Sequence, residues 1–394
     1  MKNLLIALLL LPMVATADIA VSNVKVFSGV PWQEVIVGYT ITGTSGGPLG
    51  LRTIVSDNDA GISWTNVTYD ATALTEGEHQ FRWNDAKVNS TNCEVKVQLV
   101  EPTYCIVDLS SGPDSKQYPV TYLIEEPVGG WTTEYKTTKL PLKLIPAGSF
   151  IMGEDQENEA HRVTITKPFY MGVFEVTQKQ SSLIQGSSCA SFGGNAFEFY
   201  GVGDCFPDYY VQYVNLRGSS LGAKWPASGE VDASSLLGNL RTRTGLSFDL
   251  PTEAQWEYAC RAGTTTVYSH GDSVNKAYMW YHNNASKQAN IVGTKRPNPW
   301  GLYDMHGNVW EWCLDWSLTL AYGEDPKGKD ISGKPPTWPQ RVLRGGSWSY
   351  GDVDRCTSAF RSSDGPSYKD RSSPYISYYG TYGFRLCLPA AQPQ

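Results

Sequence analysis

Leu250-Pro251-Thr252-Glu253-Ala254-Gln255-Trp256-Glu257-Tyr258 is the stretch whose reading sets the architecture. A Thr followed three residues later by Gln is a capping box: the Thr252 hydroxyl caps a helix and Gln255 reaches back to the cap N–H. The spacing predicts a short helix over 253–261, with Trp256 and Cys260 four apart on one face. The same box recurs at Thr177-Gln178-Lys179-Gln180, and a further helix is predicted over 233–241. Everything else from Leu140 onward reads as short strand and long loop, an α+β pattern. Three more segments punctuate that region: Ile145-Pro146-Ala147-Gly148-Ser149-Phe150-Ile151-Met152-Gly153, Gly307-Asn308-Val309-Trp310-Glu311-Trp312, and Leu343-Arg344-Gly345-Gly346-Ser347-Trp348. The sequence holds no internal repeat and no phosphate-cradling glycine loop.

In this order, and completed by Gly383-Phe384-Arg385, the four segments resemble the formylglycine-generating enzyme (sulfatase-modifying factor) family over about residues 140–390. The resemblance implies a variant of the C-type-lectin-like fold. It does not fix the activity, because the family spans sulfatase-cysteine oxidases, sulfoxide synthases and non-catalytic binding proteins. Its oxidising members carry two cysteines at the third and eighth positions beyond the Ser of Gly-Gly-Ser, and those thiolates hold copper(I). Here the two positions are Tyr350 and Arg355, with Cys356 one step further; alignment backwards from Ala359-Phe360-Arg361 gives Val353 instead. A phenol and a guanidinium are not the soft donors that copper(I) selects. Copper is therefore not expected. Should an altered site still oxidise a sulfatase client, Ser347, Tyr350, Arg355 and Cys356 are the candidate catalytic residues. The iron-dependent sulfoxide synthases need a histidine-rich helical domain, whereas His79, His161, His270, His282 and His306 are scattered singly without metal-ligand spacing.

The resemblance also implies calcium, held by the side chains of Asp304 and Glu311 and the carbonyls of Gly307 and Val309. Hard oxygen donors in a turning loop suit that ion. A second family calcium site would follow Ala289-Asn290-Ile291, but 292–298 is too short to supply its acidic insertion.

Between Trp348 and Gly383 the composition shifts to Ser, Tyr, Gly and Asp: Ser349-Tyr350-Gly351-Asp352, Ser362-Ser363-Asp364-Gly365, Ser367-Tyr368 and Tyr375-Ile376-Ser377-Tyr378-Tyr379-Gly380-Thr381-Tyr382. Adaptable binding loops use these residues, since Tyr adds amphipathic contact area at low entropic cost while Ser and Gly adapt their shape. Trp348, Ser349, Tyr350, Asp352, Tyr368, Tyr375, Tyr378 and Tyr379 are the candidate ligand-binding residues. The segment resembles the variable end of lectin-fold ligand binders diversified by retroelements.

Ahead of this domain, residues 18–110 alternate β-formers with polar residues, as in Glu34-Val35-Ile36-Val37-Gly38-Tyr39-Thr40-Ile41-Thr42, and predict a small immunoglobulin-like β-sandwich. Residues 111–139 read as an extended connector. Met1-Lys2-Asn3, an apolar run from Leu4 to Leu11 and Ala15-Thr16-Ala17 read as a signal peptide cleaved before Asp18; the run is too short to span a bilayer. Across 394 residues, Lys+Arg 32 against Asp+Glu 39 leaves −7, which argues against a nucleic-acid or anionic-membrane footprint. The 13 Trp, 23 Tyr and 12 Phe exclude coiled coil and disorder. Eight cysteines and no C-x-x-C favour disulfides over a zinc site in a secreted chain. Proximity suggests Cys93–Cys105 and Cys189–Cys205, worth ~3 kcal/mol apiece; pairing of Cys260, Cys313, Cys356 and Cys387 stays open. The reading is a secreted, periplasmic or cell-surface binding protein for a protein or glycan. A formylglycine-generating oxidase, or a maturation partner of secreted enzymes, stands as the alternative.

Overall fold

Alternation of buried and part-exposed residues along Val37-Gly38-Tyr39-Thr40-Ile41, with Val37, Tyr39 and Ile41 inward, is the period-two signature of a strand covered on one face. The same alternation runs through Leu51-Arg52-Thr53-Ile54-Val55 and Val95-Lys96-Val97. The strands of the N-terminal region are β1 (Leu5–Ile6), β2 (Ala20–Ser28), β3 (Val35–Thr42), β4 (Gly50–Asp57), β5 (Ile62–Thr68), β6 (Gly77–Trp83) and β7 (Cys93–Val100). They form one sheet in the order β2-β3-β6 and another in the order β1-β7-β4-β5. His79 lies within β6, and its ring stacks on Tyr39 across the β3–β6 pair at 5.3 Å. The computed structural model describes residues 5–6, 20–28, 35–42, 50–57, 62–68, 76–83, 93–154, 160–188, 201–209, 211–218, 231–317, 323–324, 340–349, 353–366 and 381–390. Of the expected leader, only Leu5–Ile6 falls among them, beside Glu94–Val95 of β7. No helix among the described residues is long and apolar enough to cross a membrane.

The chain divides into two units, residues 1–103 with 391–394, and residues 104–390. This corrects the boundaries read from the sequence. β8 (Tyr104–Asp108), assigned there to the N-terminal sandwich, and β9 (Val120–Leu123), assigned to a connector, are strands of the C-terminal unit. β8 pairs antiparallel with β10 (Lys139–Ile145), and β13 (Phe169–Gly172) and β19 (Cys387–Pro389) complete a sheet ordered β19-β13-β10-β8-β9. Between β9 and β10, Thr133–Lys136 forms a 3-10 turn whose Tyr135 is buried.

Two smaller sheets carry the loops of interest. β11 (Gly148–Met152) and β12 (His161–Ile165) pair antiparallel, with β15 (Gly323–Glu324) beside β12. β14 (Trp310–Trp316), β16 (Arg341–Arg344), β17 (Ser362–Asp364) and β18 (Tyr382–Gly383) lie in the order β17-β16-β14-β18. Among the described residues there are four helices, α1 (Gln178–Gln185), α2 (Tyr213–Arg217), α3 (Leu236–Thr244) and α4 (Glu253–Arg261), of which α4 packs against β11, β14 and β16. Both predicted capping boxes form, at Thr177–Gln180 and at Thr252–Gln255. α3 starts three residues later than predicted because the Ser235 hydroxyl accepts from the Gly238 N–H at 3.1 Å and fixes the first turn there.

The expected disulfides are corrected as well. Cys105 is a free thiol in the middle of β8, opposite Leu142 and packed with Val107, Leu109 and Leu140. Burial pushes its pKa up to about 12. Cys205 is also free, and Cys260, Cys313, Cys356 and Cys387 are free and buried. Cys260, Cys313 and Cys387 share one apolar core with Trp256, Met305 and Val342, and there they serve as small hydrophobes. Cys189 lies outside the described residues.

Candidate functional site

The candidate site is organised by the loop from Asp304 to Glu311. Asp304 and Asn308 both adopt left-handed backbone, at φ 57° and 58°, and Gly307 lies between them at φ 97°. A Cβ on Gly307 would stand 2.0 Å from the Trp280 carbonyl oxygen, so no other residue fits. The loop is stitched to its surroundings through its backbone. Gly307 N–H donates to Gly345 O at 2.7 Å, Asn308 N–H to Trp280 O at 2.8 Å, and Trp348 N–H to Asn308 O at 2.8 Å. The Asp304 loop and the Gly345-Gly346-Ser347 motif are thereby one structural piece.

Three carboxylates are buried beside this loop, on Glu175, Asp304 and Glu311. Glu311, expected as a calcium ligand, has both oxygens engaged: Arg385 Nη2 donates to Oε1 at 2.8 Å, Arg385 Nε to Oε2 at 3.0 Å, and the Trp256 indole N–H to Oε2 at 2.7 Å. Asp304 takes one hydrogen bond on Oδ2, from the Gly293 N–H at 2.6 Å, while its buried Oδ1 has no partner. Glu175, just before the Thr177 cap, accepts from Asn308 Nδ2 at 2.6 Å and from the Val309 N–H at 3.1 Å. Burial raises Glu175 well above the ordinary carboxyl range, with Asp304 and Glu311 adding repulsion. Burial also raises Asp304 to about 6, against the pull of the Gly293 N–H. Hard oxygens, surplus negative charge and one orphaned carboxylate oxygen suit a cation at Asp304. Among the described residues, no cluster of three or more His, Cys, Asp or Glu forms a metal cage.

Three of the four candidate catalytic residues, Ser347, Arg355 and Cys356, fall among the described residues. Ser347 is buried, and its hydroxyl is within 3.3 Å of both the N–H and the carbonyl of Ser349, an intraloop turn. Cys356 ends the 3-10 turn Val353–Cys356 and is 1% exposed, among Tyr268, Met279 and Tyr281. Burial pushes its thiol up to about 12, so it is not a thiolate nucleophile at neutral pH. Arg355 is half-buried on the same turn. Tyr350 lies outside the described residues. His306 is locked below: Nε2 accepts from the Ser269 N–H at 3.1 Å, which leaves Nδ1–H to donate to the Cys356 carbonyl at 2.8 Å.

Of the candidate ligand-binding residues, Trp348 and Ser349 are described, whereas Tyr350, Asp352, Tyr368, Tyr375, Tyr378 and Tyr379 lie outside the described residues. What is placed is the frame around them. Trp348 packs with Tyr209, Ala285, Ala289 and Val309. Arg344 Nη1 donates to the Ala359 carbonyl at 2.6 Å, and Arg344 Nη2 pairs with Glu257. Arg361 Nε donates to Glu253 at 2.7 Å. The Val214 N–H donates to Pro366 O at 3.1 Å, the Val211 N–H to Tyr382 O at 3.0 Å, and the Tyr382 hydroxyl to Asp364 at 2.9 Å. The flanks of 350–352 and of 367–380 are thus fixed by buried ion pairs and strand contacts.

Glu175 was not singled out by the sequence reading. Its signal was a lone acid in the apolar run Met171-Gly172-Val173-Phe174-Glu175-Val176, which a folded chain must compensate.

Comparison with known proteins agrees with this geometry. The family described as "Sulfatase-modifying factor enzyme 1-like domain" matches residues 133–387. The chain belongs to this family, and it lacks the paired cysteines at the positions occupied by Tyr350 and Arg355. It is 30% identical over 311 residues to "Serine/threonine-protein kinase pkn1" of Chlamydia pneumoniae, covering 70% of this chain and 44% of that protein. It is 40% identical over 157 residues to the "Formylglycine-generating enzyme" of Streptomyces coelicolor, covering 36% of this chain and 46% of the enzyme. It is 27% identical over 249 residues to "Chaperone protein LppX" of Paenibacillus barcinonensis, covering 55% of this chain and 81% of that protein. The chain thus spans less than half the length of the first two.

Proposed function

We propose that this member of the sulfatase-modifying factor family is a secreted, non-catalytic binding protein that grips a protein or glycan through its C-terminal face. The observation that carries this is chemical. Where the oxidases hold two soft sulfur ligands the chain has Tyr350 and Arg355, and the one thiol nearby, on Cys356, is packed in the core. A lectin-like domain with fixed loop flanks is the arrangement in which variable loops bind on a rigid scaffold. Trp348, Ser349, Tyr350, Asp352, Tyr368, Tyr375, Tyr378 and Tyr379 supply the contact surface in this reading, and the immunoglobulin-like N-terminal region presents the domain. Calcium belongs to the same reading as a structural ion held by Asp304 and the carbonyls of Gly307 and Val309. When bound, it would offset buried negative charge and supply no chemistry of its own.

Glycan and protein arrays probed with the full chain in millimolar calcium test the proposal. Saturable binding that falls at least ten-fold in a Tyr378→Ala/Tyr379→Ala variant is the expected result; no saturable partner, or an unaffected variant, overturns it.

A second reading, assistance to the maturation of another secreted protein, is favoured by the likeness to a protein named as a chaperone over 81% of its length. In that case a co-expressed client would gain soluble yield, with no array hit. The oxidase reading rests on the likeness to formylglycine-generating enzymes. It predicts tight copper(I) binding and aldehyde formation on a cysteine-containing sulfatase peptide, and absence of both ends it.

A further inference from the structure

His270 lies near the tip of a tight hairpin. The Tyr268 N–H donates to Gly271 O at 3.0 Å, the Gly271 N–H returns to Tyr268 O at 3.1 Å, and the Val267 N–H donates to Asp272 Oδ1 at 3.1 Å. The His270 ring lies flat against two phenols, Tyr268 at 5.2 Å and Tyr278 at 4.6 Å, with interplanar angles of 17° and 11°. His306 stands edge-on to the same ring at 5.5 Å. Both His270 nitrogens are buried, and among the described residues neither has a hydrogen-bond partner. Such a stack suits a neutral imidazole. An imidazolium would bury a second N–H donor and a charge, and neither would meet an acceptor. The same hairpin pins the segment that leads out of 350–352. The Tyr268 hydroxyl donates to Val353 O at 3.3 Å, and the Ser358 N–H donates to Val267 O at 2.9 Å. Tyr268 also shares an apolar cluster with Cys356, against which Val353 packs. His270 thus supports the ring whose hydroxyl holds Val353.

We infer that His270 is a pH switch on this flank of the binding face: in acid it takes a proton, the hairpin of residues 267–272 opens, and residues 353–358 are released. The charges around the ring do not offset that proton. His306 offers no acceptor, because its Nε2 takes the Ser269 N–H and its Nδ1–H goes to the Cys356 carbonyl. Two further cations stand nearby, Arg296 at 6.0 Å from the Tyr278 ring and Arg261, which acts on His306 through space. The acids are engaged elsewhere. Asp272 Oδ1 caps the Val267 N–H, and Asp354 and Glu154 act through space on the Tyr268 hydroxyl. Burial therefore holds His270 below the ordinary histidine value of 6.5, against an upward pull from the Ser273 backbone. A base lowered in the closed state stabilises that state in its neutral form. The hairpin is at full strength above 6.5 and weakens as the pH falls through that value, where the opened form takes up the proton. What the released segment is for rests on the proposed binding face; the switch itself does not.

The test is hydrogen–deuterium exchange of the full chain at about pH 5 and about pH 7.5, corrected for the intrinsic pH dependence of exchange and read by mass spectrometry. In the wild type, peptides covering 265–275 and 353–358 should lose protection about ten-fold at the lower pH, while a peptide from α4 keeps its own. His270→Phe keeps a flat ring in the stack and cannot titrate, so its protection should be the same at both pH values. Asp304 titrates in the same range and is left intact in that variant. Acid loosening that persists in His270→Phe therefore overturns the inference, as does a wild type whose protection does not change. If His270→Phe does not fold, the His270 Cε1–H resonance of the wild type decides. It must titrate below 6.5 and in step with the loss of protection; titration at or above that value overturns the switch. None of these readouts needs a ligand, so a silent binding array leaves the switch standing, and failure of the switch leaves the array result untouched.

Discussion

At the scale of single residues, the decisive feature is what a thiol does when the fold buries it. Cys356 stands one position from where the family pattern would place a reactive cysteine, so the sequence left it as a catalytic candidate. In the structure its sulfur lies against Gly346, where a Cβ would approach it to 2.6 Å, and its carbonyl accepts a hydrogen bond from His306 Nδ1–H. Burial raises the thiol to about 12, so at pH 8 the thiolate fraction is on the order of one in ten thousand, before steric exclusion is counted. Iodoacetamide at pH 8 should leave Cys356 unmodified in the native protein over hours and modify it fully in guanidinium, as read by peptide mass spectrometry. Rapid native labelling would show a reactive cysteine and reopen the catalytic reading. Partners, unlike residue types, were not legible in the sequence. Glu311 and Arg385 lie 74 positions apart, and so does the answer to which acid the guanidinium takes.

At the scale of elements, α4 shows why some features were legible and others not. Its ends are written locally, by Thr252 and Gln255 at the start, and both bonds of the capping box form, at 3.2 and 2.9 Å. Removing the cap with Thr252→Ala should cost about 1 kcal/mol, read as a lower midpoint in urea with an unchanged slope. A shift indistinguishable from zero would mean that tertiary packing alone fixes the first turn. The helix interior was less legible. All nine of its residues are buried, its acids included, because Glu253 and Glu257 meet Arg361, Arg344 and Arg261. An amphipathic reading reserves one face for water, and here tertiary ion pairs have replaced it. The same limit misplaced β8 and β9. Tyr104-Cys105-Ile106-Val107-Asp108 reads as the last strand of a sandwich until β10, more than thirty residues on, is known to claim it.

At the scale of the whole molecule, the boundary between the two units decides which fragment can fold. β8 is flanked by β9 and β10, so it is an interior strand of its sheet. Removing it exposes the backbone of β10 and strips Cys105, Val107 and Leu109 from the core. Tyr118, in the segment between β8 and β9, ties that segment to two helices. Its hydroxyl donates to Leu183 O in α1 at 2.8 Å and accepts from Arg243 in α3 at 2.8 Å, while its N–H reaches the Arg243 carbonyl. Each fully buried apolar side chain lost forfeits ~1.5–3 kcal/mol, so losing Cys105, Val107, Leu109, Tyr118 and their neighbours takes away ~5–15 kcal/mol, as much as a typical domain's whole stability. A fragment of residues 104–390 should therefore melt as one cooperative transition, whereas residues 140–390, the span that sequence motifs alone delimit, should show no near-ultraviolet circular dichroism and no melting transition. Equal melting temperatures for the two fragments would mean that the first two strands are an appendage to the sheet rather than part of its core.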